Sequence, residues 1–380
     1  MNKKQFDKAI SMAKLAKLTN KHKISVVGVS VKDQQITSLT SVNENYTITI
    51  GIDGESDSDD AVITIKTDDI SKLANIKGYD ISIDEYYHSD SKCVTFLCES
   101  TNVTLNTSDI EYSIFNDKRK YTTLTDMFTT NDISGFIKSL KYVGKFASKD
   151  DTRPIFTGLQ FNREVSSDYT HIVGVDGFRI LDIQHKCNTI SDFDSFVLPM
   201  PTINLLLKAI DKDAANIEFK ITDSSCIYIH INYNDNTYVS LVSDTLKGDF
   251  LKYDTVFNTE SKVNATVKPD IMHKELKEIH AVIGDSKVAP TKLSLKDNKM
   301  KLLSMDANVK IEKNIDIDRC NGDIECIAFN QKYMMEALDV FKQFNKDNIQ
   351  FNYNNKYAPI ILNDEYSLIR ALILPIRINK

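Results

Sequence analysis

The chain has no tryptophan, and of its 380 residues only 12 are glycine, 7 proline and 6 cysteine. So little glycine and proline excludes collagen-like and low-complexity chains, which are built on those residues. The cysteines, Cys93, Cys98, Cys187, Cys226, Cys320 and Cys326, are scattered, with no CxxC pair. That argues against a zinc ribbon or a disulfide framework and reads as buried free thiols. No apolar run approaches the roughly 18 residues that a membrane-spanning helix needs. Catalytic signatures are missing too: GxxxxGK[ST], HExxH and GxSxG do not occur, so nothing points to phosphate-loop, zinc-protease or serine-hydrolase chemistry. The seven histidines are dispersed, and His185 and Cys187 lie close together without a partner cluster. Asp57, Asp59 and Asp60 stand in GESDSDD, which reads as a solvated loop, with a cation site as the other reading. No catalytic residue, metal or cofactor is expected.

What is present is a plan used three times. VITIKTDDISKLANIK then YDISIDEYY begins at Val62; FVLPMPTINLLLKAI then NIEFKITD begins at Phe196; IAFNQKYMMEALDVFKQF then NIQFNYN begins at Ile327. Each reads as an apolar strand, a polar break, an amphipathic helix of about three turns and an alternating strand. The starts lie 134 and 131 residues apart (62 to 196, 196 to 327), too far for a solenoid and about the size of a domain. Each third also opens with a longer helix, over residues 3–20, 132–148 and 269–283. Phe6, Ile10, Ala13 and Leu18 keep to one side of the first; Ile133, Phe136, Ile137, Leu140 and Val143 of the second; Ile271, Leu276, Ile279 and Val282 of the third. Strands follow from Ile24, Pro154 and Lys292. The expectation is an α+β chain of three similar domains, residues 1–125, 126–256 and 257–380, each with two helices on antiparallel sheets.

Charge is placed unevenly. The chain carries a formal −6, yet residues 3–23 hold seven lysines against one acid and residues 130–149 four against one. Basic helices on an acidic body make a focused positive surface if they share a face, and a set of solvated lysines otherwise. The N-terminal MNKKQFDKAISMAKLAKL reads as an amphipathic helix and not as a signal peptide, so the expected location is the cytoplasm.

Specific residues then carry a resemblance. Thr152-Arg153-Pro154-Ile155-Phe156-Thr157-Gly158, followed by Val175-Asp176-Gly177-Phe178-Arg179-Ile180, resembles the middle domain of the bacterial DNA polymerase III β subunit family, the sliding clamps, with its "RP-x-L-x-G" and "TDGHRL" strands. Lys247-Gly248-Asp249-Phe250-Leu251-Lys252-Tyr253 resembles "G-x-FPDY", Phe329-Asn330-Gln331-Lys332-Tyr333 resembles "FN-x-x-Y", and Leu374-Pro375-Ile376-Arg377 resembles the "MPMR" tail. The matches run in order from the middle third to the C-terminus. The departures are Phe178 for His, Val175 for Thr, Leu251 and Lys252 for Pro and Asp, and ISVVG from Ile24 where the family has a proline.

The resemblance implies a head-to-tail ring homodimer, helices lining a hole, that encircles duplex DNA without reading sequence and tethers a replicative polymerase, loaded by a clamp loader. Polymerase and loader would dock through short peptides holding a Gln and an apolar pair. Carried over residue by residue, the pocket would use Phe156, Val175, Gly177, Phe178, Arg179 and Ile180 from the middle domain and Leu372, Leu374, Pro375, Ile376 and Arg377 from the tail. Leu374-Pro375-Ile376-Arg377 would form one wall and Phe156 with Ile180 the other, with the arginines reaching peptide acceptors. For Phe156 and Ile180, ordinary core packing is the competing reading. DNA would be met by Lys149, Arg153 and Lys21. Two other classes stay open: a clamp-like scaffold, of the kind carried by mobile elements, that binds proteins and no longer loads on DNA, and an enzyme of unassigned type.

Overall fold

The structure, a computed structural model, describes residues 3–15, 26–42, 46–52, 61–84, 92–108, 121–163, 168–284 and 290–377. The chain divides into two compact units. One holds residues 1–140, 163–170 and 186–247, the other 141–162, 171–185 and 248–380. Each therefore combines an end of the chain with part of its middle third.

The first unit is organised by a twelve-stranded sheet. Its strands alternate apolar and polar residues, as in Ile227–Tyr233 and Thr237–Ser243, so one face is buried and the other polar. The sheet runs from the middle third into the first because Thr237–Ser243 pairs antiparallel with Tyr46–Ile52. The strand Leu124–Thr130 pairs with Ala214–Thr222, so it belongs to the middle third's sheet. On the buried face the helix Lys3–Leu15 inserts Phe6, Ala9, Ile10 and Ala13, each nearly inaccessible to solvent. Leu18 lies outside the described residues.

The second unit repeats the arrangement. Its larger sheet joins the middle third to the last, with Arg179–Lys186 pairing antiparallel with Ile369–Ile373. A four-stranded sheet holds Thr291–Lys296, Lys299–Met305, Lys310–Asp316 and Ile324–Phe329. Pro269–Ile283 packs against Gln331–Gln343. The first of these helices starts on Pro269, whose missing N–H costs nothing there, and stops at Gly284 with φ +76°. The second is capped by Asn330, whose side chain accepts from the Lys332 and Tyr333 amides at 3.0 and 3.3 Å. That cap is the physical content of FN-x-x-Y.

Three details differ from the sequence reading. The helix expected after Val62 is a single turn, Thr67–Ile70, running into a 3₁₀ stretch, Ser71–Asn75. Ser71 donates back to the Thr67 carbonyl at 2.5 Å, a local bond that competes with helix propagation. The strand expected from Pro154 opens as a 3₁₀ turn, Pro154–Thr157, before Gly158–Arg163. In Pro269–Ile283 the buried side is Met272, Leu276, Ile279 and Ile283, while Ile271 and Val282 are exposed. The thiols also divide: Cys98, Cys187 and Cys226 are buried, Cys320 is partly so, and Cys93 and Cys326 are exposed.

Candidate functional site

The site lies wholly within the second unit and is built from strand alternation. A Cβ on Gly174 would meet the Val143 carbonyl at 2.6 Å, so that position faces the helix Ile133–Gly144. Val173 and Val175, its neighbours, therefore point to the opposite face. There they join Ile180, Ile361 and Leu372 from three further strands, covered by Tyr253 and Phe257, with Phe156, Phe250 and Val256 at the margin. Val175, Ile180 and Leu372 are at most 4% exposed. They form a floor.

Ile180 and Leu372 are register partners on adjacent strands. They lie side by side in one layer of the floor. Phe156 instead meets Phe250 edge to face, centroids 5.5 Å apart. The segment over the floor was missed as part of the site, although its Tyr253 had already been matched to the "FPDY" motif. Its burial raises the Tyr253 hydroxyl pKa, and the nearby Asp182 adds to this.

Gly177 has φ +88° with open space where a side chain would stand. Asp176 closes the turn, accepting from the Phe178 and Arg179 amides at 3.0 Å each. The turn aims Phe178 outward, 60% exposed, with its ring 6.4 Å from Tyr333 and 29° from parallel. The tail continues the strand pairing: the Leu374 amide donates to the Phe178 carbonyl at 2.9 Å and the Ile376 amide to the Ala328 carbonyl at 2.7 Å. Leu374 and Ile376 are 40% and 36% exposed, Pro375 is half-buried and Arg377 is exposed. Phe178, Tyr333, Leu374 and Ile376 thus give an accessible apolar rim above the buried floor.

Arg179 does something other than expected. It is buried; its Nε donates to Asp176 at 2.8 Å, one terminal nitrogen to Glu336, and the other to the Lys145 carbonyl at 2.9 Å. Its guanidinium carbon lies 4.3 Å from the ring centres of both Phe146 and Tyr333. With its donors committed inward, Arg179 fixes the rim and leaves Arg377 as the exposed guanidinium of the set. Burial, with Asp176 next in effect, raises the Tyr333 pKa.

Lys149 and Arg153 are both exposed on one loop. The loop is built locally: the Asp150 amide donates to Ser148 Oγ and the Thr152 amide to Asp150 Oδ1, each at 3.0 Å. Those Thr152 bonds hold the Asp150 carboxyl below the usual range. The Ser148 amide donates to the Phe156 carbonyl at 2.8 Å, which ties the loop to the pocket margin. Lys21 and the run Asp57, Asp59 and Asp60 lie outside the described residues. Several lysines of the basic helical segments have acidic partners: Lys3 with Asp7 at 2.5 Å, Lys8 with Asp211 at 2.9 Å, and Lys145 with Asp339 at 3.6 Å. His185 is buried, and Cys187 sits 3.1 Å from Thr170 Oγ1.

An α+β chain of antiparallel sheets, joined third to third by strand pairing, has the architecture of the clamp proteins. The fold matches the crystal structure of a putative DNA polymerase III beta subunit from Eubacterium rectale with a TM-score of 0.80 and 20% identity, over 99% of this chain and 98% of that one. It matches the beta subunit of Streptococcus pyogenes with a TM-score of 0.81 and 19% identity, over 100% and 99%. Residues 254–377 match the family model for the DNA polymerase III beta subunit, C-terminal domain. In sequence, 245 residues are 26% identical to the beta sliding clamp of Mycoplasma capricolum, spanning 63% of this chain and 61% of that protein. The chain thus has the fold of the DNA polymerase III beta subunits and, over residues 254–377, is similar in sequence to their C-terminal domain, from which it has diverged. No helix among the described residues is long and apolar enough to cross a membrane.

Proposed function

We propose that this protein is a non-catalytic DNA sliding clamp: a processivity factor that encircles duplex DNA and holds a replicative polymerase through a short peptide seated on the Phe178, Tyr333, Leu374 and Ile376 rim. The observation that supports this best is the accessible apolar rim over a preformed floor, built from the residues that resemble the family's pocket. Such a cleft suits an apolar peptide anchor. In this reading the chain has three domains, residues 1–125, 126–256 and 257–380, and two copies close head to tail. Closure hides edge strands without leading to fibres. Lys149 and Arg153 meet phosphates, which position a protein without reading bases, and enclosure supplies retention. Clamp loader and polymerase would be rival partners for one cleft. The setting would be the cytoplasm.

The test is topological. Sedimentation equilibrium at micromolar concentration should give twice the 43.1 kDa chain mass. Loaded protein should stay on nicked circular DNA and leave when the circle is cut. Equal retention on both forms would mean ordinary affinity binding, and retention on neither would favour a scaffold that no longer loads.

A further inference from the structure

The floor of the candidate pocket continues into an ionic network that its apolar function does not require. Asp182 lies two residues along from Ile180, and Arg370 two from Leu372, so the pair shares the floor's face. Asp182 and Arg370 are register partners themselves. Arg370 donates to Asp182 Oδ2 through Nε at 3.0 Å and through a terminal nitrogen at 2.5 Å. That terminal nitrogen also donates to Asp254 Oδ1 at 2.9 Å. His171 Nδ1 sits 3.0 Å from the other oxygen of Asp182. Asp182 is fully buried, and the Arg370 and Asp254 side chains are 14% and 56% exposed.

Arg370 therefore reaches from the floor to the segment that covers it. Its guanidinium carbon stands 4.7 Å from the Phe257 ring centre and 6.0 Å from that of Tyr253. A second tether runs in parallel, from Asn162 Nδ2 to the Tyr253 hydroxyl at 3.5 Å. Both tethers end on residues 253–257, the segment whose Tyr253, Val256 and Phe257 pack on Val173, Val175, Ile180 and Leu372. We infer that Arg370 is a positioning residue of the peptide pocket, fastening the covering segment through Asp254 and so setting the width of the cleft. This rests on the pocket reading above.

Substituting Arg370 would strand buried Asp182, so the network is tested from its exposed end. Asp254→Ala removes the acceptor and leaves the Asp182–Arg370 pair intact; Asp254→Asn keeps an acceptor oxygen in place. The probe is a fluorescein-labelled Gln-Ser-Ser-Leu-Phe peptide, titrated against the intact dimer, both variants and a chain ending at Ile373. Hydrogen exchange of residues 253–258 is followed without peptide. Asp254→Ala is expected to bind about fivefold or more weakly and to exchange faster in that segment, and Asp254→Asn to recover both. Exchange tells a fastening role from a direct peptide contact, which would leave the free protein unchanged. Wild-type affinity and exchange in Asp254→Ala, with binding lost in the shortened chain, would overturn the positioning role alone. Unchanged binding in both the shortened chain and Asp254→Ala would overturn the pocket reading and this role together.

Discussion

The Leu374 amide donates to the Phe178 carbonyl at 2.9 Å, so the C-terminal tail is zipped to the turn that presents the most exposed phenylalanine of the site. The same pairing says where the tail can be cut. Ile373 is fully buried and pairs with Arg179 and Ile360, whereas the rim begins at Leu374. Removing residues 374–380 should weaken a labelled peptide at least tenfold, about 1.4 kcal/mol, while sedimentation still reports a folded dimer. Cutting before Ile373 would confuse loss of the rim with damage to the core.

Phe178 makes a ring contact with Tyr333 and is otherwise open to solvent. Phe178→Ala should therefore shift the urea midpoint little, by about 0.5 kcal/mol or less. Peptide affinity should fall severalfold, because an exposed aromatic at the rim is a natural anchor. Phe178→His restores the residue type of the resembling motif and should change which peptides are preferred. Titration of a small peptide panel decides it; an identical ranking for Phe178 and His would remove this position from specificity.

Arg179 presents the opposite balance. Its guanidinium is buried between two rings and bonded to Asp176, Glu336 and the Lys145 carbonyl. Arg179→Ala leaves Asp176 and Glu336 without their cation, a loss on the order of 3–5 kcal/mol. Equilibrium urea unfolding should show it as a large fall in midpoint. A loss below about 1 kcal/mol would mean that the arginine is held loosely and is free to meet a peptide after all.

The legible parts of this molecule were those with a period. Alternation exposed the strands Ala214–Thr222 and Ile349–Tyr353, and the last helix was readable because Asn330 caps it and Met334, Ala337, Leu338 and Phe341 fall on one side. The helix after Val62 was misjudged because Thr67, Asp68, Asp69 and Ser71 can bond locally as readily as they can extend a helix. Arg370 was invisible for a different reason. In an alternating strand an arginine reads as solvent-facing, and nothing local shows that Asp182, 188 residues away, takes its charge. Arg179 was found by motif but misassigned in role, since a motif names a position and not its partners.

His273 supplies a pH prediction. Burial lowers its pKa from the ordinary 6.5, and Lys342, whose Nζ is 3.3 Å from Nδ1, lowers it further. The fold therefore prefers the neutral ring. Its contribution is fully present above about pH 6.5, where the unfolded chain is also neutral. It is lost as pH falls below that, because the unfolded state then binds a proton that the folded state resists. His273→Asn should flatten the part of the stability–pH curve between about pH 7 and 5 that belongs to this residue. Chemical denaturation at several pH values gives the slope, and a variant that parallels the wild type across that range would rule the residue out.

Lys149 and Arg153 project from a loop whose internal bonds involve Ser148, Asp150 and Thr152 but neither cation side chain. Replacing both with alanine should leave the fold and the peptide affinity unchanged, because the loop is fastened by the Ser148 and Asp150 side chains and by the Ser148 amide on the Phe156 carbonyl, none of which is altered. If each cation meets one phosphate, the slope of log K against log salt for duplex DNA should shrink in magnitude by about 0.9 per residue removed, close to 2 in all. The change should be the same for unrelated DNA sequences, since phosphates carry no base identity. Fluorescence anisotropy over a salt series measures both quantities. A double variant with the wild-type slope would show that DNA is met elsewhere on the molecule, and a sequence-dependent change would contradict contact through phosphates alone.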